Sequence, residues 1–209
     1  MEAREVYLIR HGETDYNRMR IVQGRGVDTS LNDKGRIQAQ AFYQAYRHVS
    51  FDRVITSTQQ RTHQSVSPFL DEGLPWDKYS ELDEIDWGIH EGQPSTKEMR
   101  EEYRRIVAAW QSGDYKQQLP GGESAWDMQQ RQLRFIKRLP EIEGQRLLIC
   151  SHGRAMRSLL CLLLDRPLKE MDQFPHANLT LYHLRQNGAG FEVVKAHDTA
   201  HLRDLPLSS

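Results

Sequence analysis

The stretch VYLIRHGET, residues 6–14, decides the fold prediction for this chain. Its first four residues are apolar and mostly strand-favouring, which indicates a short buried strand. Arg10 and His11 follow at the carboxyl end of that strand, where open α/β sheets place their ligand sites. Gly12 removes a side chain at a point where another group can approach the backbone. Taken alone, these residues fit an anion pocket and an ordinary polar strand end equally well.

The composition of the 209 residues is that of a soluble globular protein. Lys and Arg number 28 and Asp and Glu number 29, so the formal net charge of -1 does not indicate a nucleic-acid partner. No run approaches the ~18 apolar residues of a membrane span, and residues 1–5 carry no apolar signal segment. We therefore expect no membrane partner. Cys150 and Cys161 lie in apolar runs, so we expect no disulfide framework and a cytoplasmic location.

Strand patterns alternate with helix patterns along the rest of the chain. Strands are predicted at 53–57, 79–82 and 146–151, with a hairpin at 179–195 around the turn NGAG. Helices are predicted from Asn32, at 59–70 with Pro68 bending or ending it, at 124–139 and at 153–164. Residues 15–31 are predicted as a polar loop. This order predicts one domain over residues 1–209: a three-layer α/β/α sandwich whose mostly parallel sheet has about six strands, one of them antiparallel.

A charged segment at about 94–120 is predicted as a helical insertion over the carboxyl edge of the sheet. Its apolar residues recur at spacings of three and four, as in an amphipathic helix: Met99, Tyr103, Ile106, Val107 and Trp110. The sequence PGG at 120–122 ends the helix. An exposed Trp110 would mark an interface, and a homodimer is one open outcome for the oligomeric state.

The predicted strand ends carry side chains of complementary chemistry. They are Arg10-His11 after the first strand, Ser57 and Arg61 after the second, the acidic residues 81–86 after the third, and Ser151-His152-Gly153 after the fourth. Guanidinium groups bind phosphoryl oxygens bidentately, and the start of a helix adds backbone donors. A neutral imidazole can attack phosphorus, and a carboxylic acid can protonate the leaving oxygen. This set of side chains indicates phosphoryl transfer.

In this order, the motifs resemble those of the histidine phosphatase superfamily, in its phosphoglycerate mutase-like branch. The shared segments are 10–14 with Asn17, 23–24, 35–39, Ser57 with 61–65, 81–88, 120–124, 151–153 and 198–202. The resemblance covers most of the chain. It implies a phosphoglycerate mutase-like fold and an enzyme that uses no metal and no other cofactor on a small phosphorylated metabolite.

The resemblance also implies a role for each matching residue. His11 would be the nucleophile and would become a phosphohistidine. Glu84 would protonate the leaving group and then activate water. Three residues would hold the phosphoryl oxygens: Arg10, Arg61 and His152. The remaining substrate-binding positions would be Asn17, Gln23, Gly24 and Gly153.

Other polar residues near these motifs are expected to have structural roles. Glu81, Asp83 and Asp86 are expected in a solvated acidic turn. Arg154 is expected not to reach the substrate, whereas Arg157 is expected to anchor its helix. Structural or surface positions are expected for His48, His63, His176, His183 and His201, a buried strand position for Cys150, and a packing role for Ser65. A cysteine-phosphatase loop needs an Arg six positions after its Cys, and Met156 occupies that position after Cys150.

The predicted function is therefore that of a metal-independent phosphatase that hydrolyses a small phosphomonoester. A phosphoglycerate mutase is the second candidate, and a non-catalytic module that binds a phosphorylated ligand is the third. The short insertion favours the hydrolase, because cofactor-dependent mutases of the resembled family are typically longer. The presence of both His11 and Glu84 disfavours the non-catalytic binding module. Selective contacts to the substrate are expected from residues 94–118 and from His90.

Overall fold

A six-stranded mixed sheet forms the centre of the computed structural model, which describes residues 3–203 and 205. Its strands are β1 (Glu5–Arg10), β2 (Arg53–Thr56), β3 (Trp76–Lys78), β4 (Arg146–Ser151), β5 (Leu181–Asn187) and β6 (Gly190–Asp198). Their order is β3-β2-β4-β1-β5-β6. β1 to β4 run parallel, and β5 pairs antiparallel with both β1 and β6. The predicted mostly parallel sheet with one antiparallel strand is confirmed.

Helices cover both faces of the sheet, which confirms the three-layer sandwich. They are α1 (Asp15–Met19), α2 (Asp33–Tyr46), α3 (Gln60–Leu70), α4 (Lys97–Gln111), α5 (Ala125–Arg138) and α6 (Gly153–Leu163). Successive strand residues point to opposite faces. Val6 and Leu8 therefore pack with α5 and α6, whereas Tyr7 and Ile9 pack with α2 and α3. The continuous apolar run of β1 follows from burial on both sides.

The predicted third strand, at 79–82, is wrong. The strand is Trp76–Lys78, and residues Ser80–Leu82 form a 3-10 helix. Leu82 is fully buried and Tyr79 packs against the same core cluster. These two residues are three apart, which is the period of a 3-10 helix, whereas residues on one face of a strand are two apart.

One local signal was misread at the sequence level. Residues 15–31 are not all loop, because Thr14 starts the short helix α1 through a reciprocal capping box with Asn17. Helix α3 contains Pro68 and ends at Leu70, where the sequence predicted its end. Proline has no N–H for the carbonyl four residues back, and the Ser67 hydroxyl donates to that Gln64 oxygen instead, at 3.1 Å.

Helix α4 packs over the carboxyl end of the sheet through a third apolar cluster. Trp110 is fully buried there and donates its indole N–H to the Gln117 carbonyl at 2.8 Å. Trp110 is therefore a core residue and not the exposed residue that would mark an interface. Within the part of the chain that the structure describes, none of the helices has both the length and the apolar character needed to cross a membrane.

Candidate active site

The carboxyl ends of β1, β2 and β4 meet at one edge of the sheet. Arg10 lies in register with Ser151, and Thr56 with Cys150. His11 and His152 follow β1 and β4 directly, and their ring centroids are 5.2 Å apart. The two imidazoles that the sequence placed at separate strand ends are therefore neighbours.

The His11 imidazole has one defined tautomer. Its Nδ1 lies 2.7 Å from the Gly12 carbonyl oxygen, and a carbonyl only accepts, so Nδ1 carries the proton. Nε2 therefore keeps a free lone pair. Burial, followed by the charges of Arg61 and Arg10, holds the pKa of His11 well below its usual value. The ring is thus neutral at physiological pH, as a nucleophile requires.

Gly12 and Ser65 hold the loop that carries His11. A Cβ at Gly12 would lie 2.8 Å from the Gly35 carbonyl oxygen, so the close approach predicted at this glycine is that of another backbone segment. The Gly12 N–H donates to Ser65 Oγ at 2.8 Å, and Ser65 Oγ donates to the Arg61 carbonyl at 2.6 Å. Ser65 therefore links β1 to α3 by hydrogen bonds as well as by packing.

His152 lies between Arg61 and Ser57. Arg61 Nε donates to His152 Nδ1 at 3.2 Å, so the imidazole proton is on Nε2, which lies 2.7 Å from Ser57 Oγ. Burial and the neighbouring Arg61 charge hold the pKa of His152 well below its usual value. His152 is therefore a second neutral imidazole at the site.

The Arg61 guanidinium is completely buried and firmly held. Besides His152, it donates to the carbonyls of Val27 at 2.7 Å and Gly24 at 3.3 Å. Gln59 Nε2 donates to the same Gly24 carbonyl at 2.9 Å. The predicted binding residue Gly24 thus positions Arg61 through its backbone oxygen.

Arg10 is the second cation of the site. Its Nη1 lies 3.1 Å from Nδ1 of His176, and its buried Nε has no hydrogen-bond partner among the described residues. Burial lowers the pKa of Arg10 to about 10, so the side chain remains charged at neutral pH. His176, expected to be structural or at the surface, belongs to the site. No sequence signal pointed to it, because it is 166 residues from Arg10 and in a loop.

The Glu84 carboxylate caps helix α6. Oε1 accepts from the backbone N–H groups of Ala155 at 2.9 Å and Ile85 at 3.0 Å, and Oε2 accepts from that of Arg154 at 3.1 Å. The N-cap residue of α6, His152, provides no side-chain cap, so Glu84 satisfies N–H groups that the helix leaves unpaired. A carboxylate has about four lone-pair positions, and the one left unused here is on Oε2.

The backbone of Glu84 is fixed by two residues that the sequence did not reveal. Gln59 Oε1 accepts from the Glu84 N–H at 3.1 Å, and Arg131 Nη2 donates to its carbonyl at 3.0 Å. The neighbouring acids are not solvated as expected. Glu81 and Asp83 are both buried. Glu81 pairs with Arg138 at 3.3 Å, and Asp83 accepts from the Thr58 N–H at 2.8 Å.

The predicted binding residues have different positions around the site. Gln23 and Gly153 line the pocket described below. Asn17 is not among its lining residues; it caps α1 and accepts from Asn178 Nδ2 at 3.3 Å. Asn178 also donates to the His11 carbonyl at 3.0 Å, so Asn17 supports the loop that carries His11 indirectly.

A pocket of about 500 Å³ opens above these residues. Its lining includes the site residues Arg10, Gln23, Glu84, Gly153, Arg154 and His176, and a second group that forms its outer wall: Val22, Trp87, His90, Ser95, Met99, Arg100, Tyr103, Arg104 and Leu119. Arg154 lines the pocket, where its charge is paired with Asp172 at 2.6 Å, and the expectation that it does not reach the substrate stays a prediction. His90 also lines the pocket, and its Nε2 lies 3.1 Å from Oε2 of Glu102 of α4.

Arg157 and Cys150 lie where the sequence predicted. Arg157 donates to the Phe174 carbonyl and to Asp172, both at 2.8 Å, and so anchors α6. Cys150 is completely buried in β4, and burial raises the pKa of its thiol. In the described ranges, no three His, Cys, Asp or Glu side chains are grouped so that they could hold a metal ion.

The comparison with known proteins agrees with this geometry. The model of the histidine phosphatase superfamily (branch 1) matches residues 6–199. The chain belongs to this superfamily. A relative named "Probable phosphoglycerate mutase GpmB" in Yersinia pestis is 30% identical over 211 residues, which cover 97% of this chain and 96% of that protein.

Two further relatives differ in length and chemistry. The mouse protein 6-phosphofructo-2-kinase/fructose-2,6-bisphosphatase 1 is 32% identical over 86% of this chain, which spans only 36% of that protein. The crystal structure of the alpha-ribazole phosphatase from Shigella flexneri superposes with a TM-score of 0.81 at 28% identity, over 93% of this chain and 96% of that one. The phosphoglycerate mutase-like fold is thus confirmed.

Because the imidazoles of the site are neutral, the free energy of unfolding should decrease as the pH is lowered. The pKa values of His11 and His152 are held well below normal, and burial lowers that of His176 to about 2. Below about pH 6.5 the unfolded chain therefore binds protons that the folded chain does not, and stability declines by up to about 1.4 kcal/mol per pH unit for each such imidazole.

Urea unfolding at pH 7.0, 6.0 and 5.5 measures this effect, in a range where the carboxylates of the unfolded chain hardly titrate. In His176→Asn, the slope should be smaller, by a difference that rises from about 0.2 proton at pH 7.0 to about 0.9 proton at pH 5.5. A free energy of unfolding that does not change between pH 7.0 and 5.5 would contradict the neutral assignment.

Proposed function

We propose that this member of the histidine phosphatase superfamily is a phosphatase that hydrolyses small phosphomonoesters through a phosphohistidine on His11. The observation that carries the proposal is the geometry around His11. Its Nδ1–H is bound to the Gly12 carbonyl, which leaves Nε2 as a neutral nucleophile. The guanidinium groups of Arg61 and Arg10 place donors for phosphoryl oxygens beside it, and His152, whose ring lies 5.2 Å from that of His11, holds Arg61 through Nδ1.

In the first step, the lone pair of His11 Nε2 attacks phosphorus and the bond to the ester oxygen breaks. The ester oxygen takes the electron pair of that bond and the proton carried on Glu84 Oε2, and it leaves as an alcohol. Arg10 and Arg61 compensate the charge on the phosphoryl oxygens, because guanidinium groups bind such oxygens in forked pairs. The products are phosphohistidine and the Glu84 carboxylate.

In the second step, the Glu84 carboxylate removes a proton from water as the water oxygen attacks phosphorus. The P–Nε2 bond breaks, its electron pair returns to His11, and orthophosphate leaves. His11 is neutral again and Glu84 is protonated. One carboxyl group thus serves as acid and then as base.

The size and lining of the pocket favour hydrolysis of an ester with an apolar leaving group. The outer wall contains the apolar residues Val22, Trp87, Met99, Tyr103 and Leu119. A volume of about 500 Å³ suits an organic group of ligand size. A three-carbon phosphoglycerate would leave much of this space to water, which is the acceptor in hydrolysis. The relative named as a phosphoglycerate mutase supports the second candidate, transfer within a phosphoglycerate.

Product analysis separates the two candidates. The protein is incubated with 3-phosphoglycerate, with and without a bisphosphorylated donor that could charge His11, and inorganic phosphate and 2-phosphoglycerate are followed together. Benzyl phosphate and glycerol 3-phosphate are then compared as alkyl esters of similar leaving-group basicity. We expect phosphate release, and a kcat/KM about 10-fold higher for benzyl phosphate because its ring is buried in the wall.

Two results would overturn the proposal. Formation of 2-phosphoglycerate without release of phosphate would assign the chain to the mutases. A kcat/KM for glycerol 3-phosphate equal to or above that for benzyl phosphate would contradict the apolar leaving group, although not the phosphatase reaction.

A further inference from the structure

His176 lies in the loop between the 3-10 helix Leu168–Gln173 and β5, and its ring lines the pocket. Its Nδ1 is 3.1 Å from Arg10 Nη1. A guanidinium has only donors, so Nδ1 must accept, and the proton of the neutral ring is on Nε2.

Gly153 makes room for this ring. A Cβ at position 153 would lie 2.8 Å from Cε1 and 3.1 Å from Nε2 of His176. Both distances are shorter than an ordinary contact between carbon and a ring atom. The His176 ring therefore packs directly on the first turn of α6, beside Arg10, where any other residue at 153 would displace it.

The two phosphoryl-binding arginines are held in different ways. Arg61 donates to His152 and to two backbone carbonyls. For Arg10, His176 is the one side-chain partner within the described residues, and Arg10 Nε is buried without a partner. The orientation of the Arg10 guanidinium before substrate binds therefore depends on His176.

The surroundings keep His176 in the form that can accept. Burial is the largest cause of its lowered pKa of about 2, followed by the charges of Arg10, Arg157 and Arg154. A protonated ring would have no acceptor and would repel Arg10. The ring is thus a neutral acceptor at neutral pH.

We propose that His176 is a positioning residue for anion binding: it accepts from Arg10 Nη1 and directs the remaining N–H groups of Arg10 toward the phosphoryl oxygens. The interpretation of that anion as a substrate phosphoryl group rests on the proposed function. The test does not, because it measures binding of inorganic anions and remains valid if the chain proves not to turn over phosphomonoesters.

The test is a double-mutant cycle between His176 and Arg10. Calorimetric titration of each variant measures the dissociation constants of orthophosphate and orthovanadate. His176→Phe keeps a ring but removes the acceptor, and His176→Asn keeps an acceptor near the position of Nδ1. We expect His176→Phe to weaken the binding of both anions about 10-fold, and His176→Asn to weaken it about 2-fold. In an Arg10→Met background, His176→Phe should change the constants by less than about 2-fold.

An equal loss from His176→Phe with and without Arg10 would overturn the proposal, as would no loss in the wild-type background. An Asn variant as weak as the Phe variant would also contradict it. Melting temperatures check that each variant is folded. Nitrogen-15 NMR of the wild-type imidazoles tests the tautomer without any substitution: a His176 proton on Nδ1 at pH 7 would exclude the assigned hydrogen bond.

Discussion

Replacing His11 with Asn is expected to lower phosphatase turnover by about 10⁴-fold or more while the fold is retained. The substitution removes Nε2, the atom that would attack phosphorus. The Asn amide can still donate to the Gly12 carbonyl, which His11 Nδ1 contacts at 2.7 Å. The nucleophile is therefore lost without loss of the local hydrogen bond. The measurement is kcat/KM on the best ester of the panel, together with the melting temperature.

The covalent step gives this prediction a second readout. Wild-type protein mixed rapidly with a phosphorus-labelled ester should carry an acid-labile, base-stable label on Nε2 of His11, and His11→Asn should carry none. His48→Asn is the matched control, because His48 is exposed beside Tyr46 and outside the pocket. Normal turnover by His11→Asn would refute the mechanism. Turnover that requires an added divalent metal would refute its metal independence.

The part of the site predictable from the sequence is the part that follows a strand directly. Arg10, His11 and His152 were identified because an apolar run ends at each of these positions, and parallel strands bring their carboxyl ends together. The helices of the two layers were predicted for the same local reason, since their apolar stripes repeat at helical spacing.

Residues whose partners are remote in sequence could not be placed in this way. Glu84 was selected among four acids by family position alone, because its partners are backbone groups of α6 about 70 residues away. His176 contacts Arg10 across 166 residues. Burial of Glu81 and Asp83 was missed for the same reason, since the groups that pair with them lie on Arg138 and Arg25. Hydrophobic periodicity carries no information about such pairs.

Replacing Glu84 with Gln is expected to slow hydrolysis of alkyl phosphates by about 10³-fold, within the range typical of a lost acid–base group. Alkoxide leaving groups are strongly basic and need the proton that Glu84 would supply. The variant should fold, because the Gln carbonyl can accept from Ala155 and Ile85 as Oε1 does. Only the bond from the Arg154 N–H to Oε2 would be lost.

An ester whose leaving group needs no proton distinguishes the role of Glu84 as an acid in the first step from its role as a base in the second. With 4-nitrophenyl phosphate, whose phenolate leaves without a proton, the first step should survive in Glu84→Gln while the second step lacks its base. Phosphohistidine should therefore accumulate, and one equivalent of nitrophenol per protein should appear in a burst before slow turnover. Rapid-quench measurement of the burst and of labelled protein tests both points.

Glu81→Gln is the control for removing a buried carboxylate close to the site. Glu81 pairs with Arg138 and is not among the pocket-lining residues, so turnover should change by less than about 2-fold while the melting temperature falls. If Glu84→Gln slows alkyl and nitrophenyl esters by the same factor and shows no burst, Glu84 is not the proton carrier. Its contacts with the first turn of α6 would then make it a helix cap alone, and the acid would have to be sought among the other groups that face the pocket.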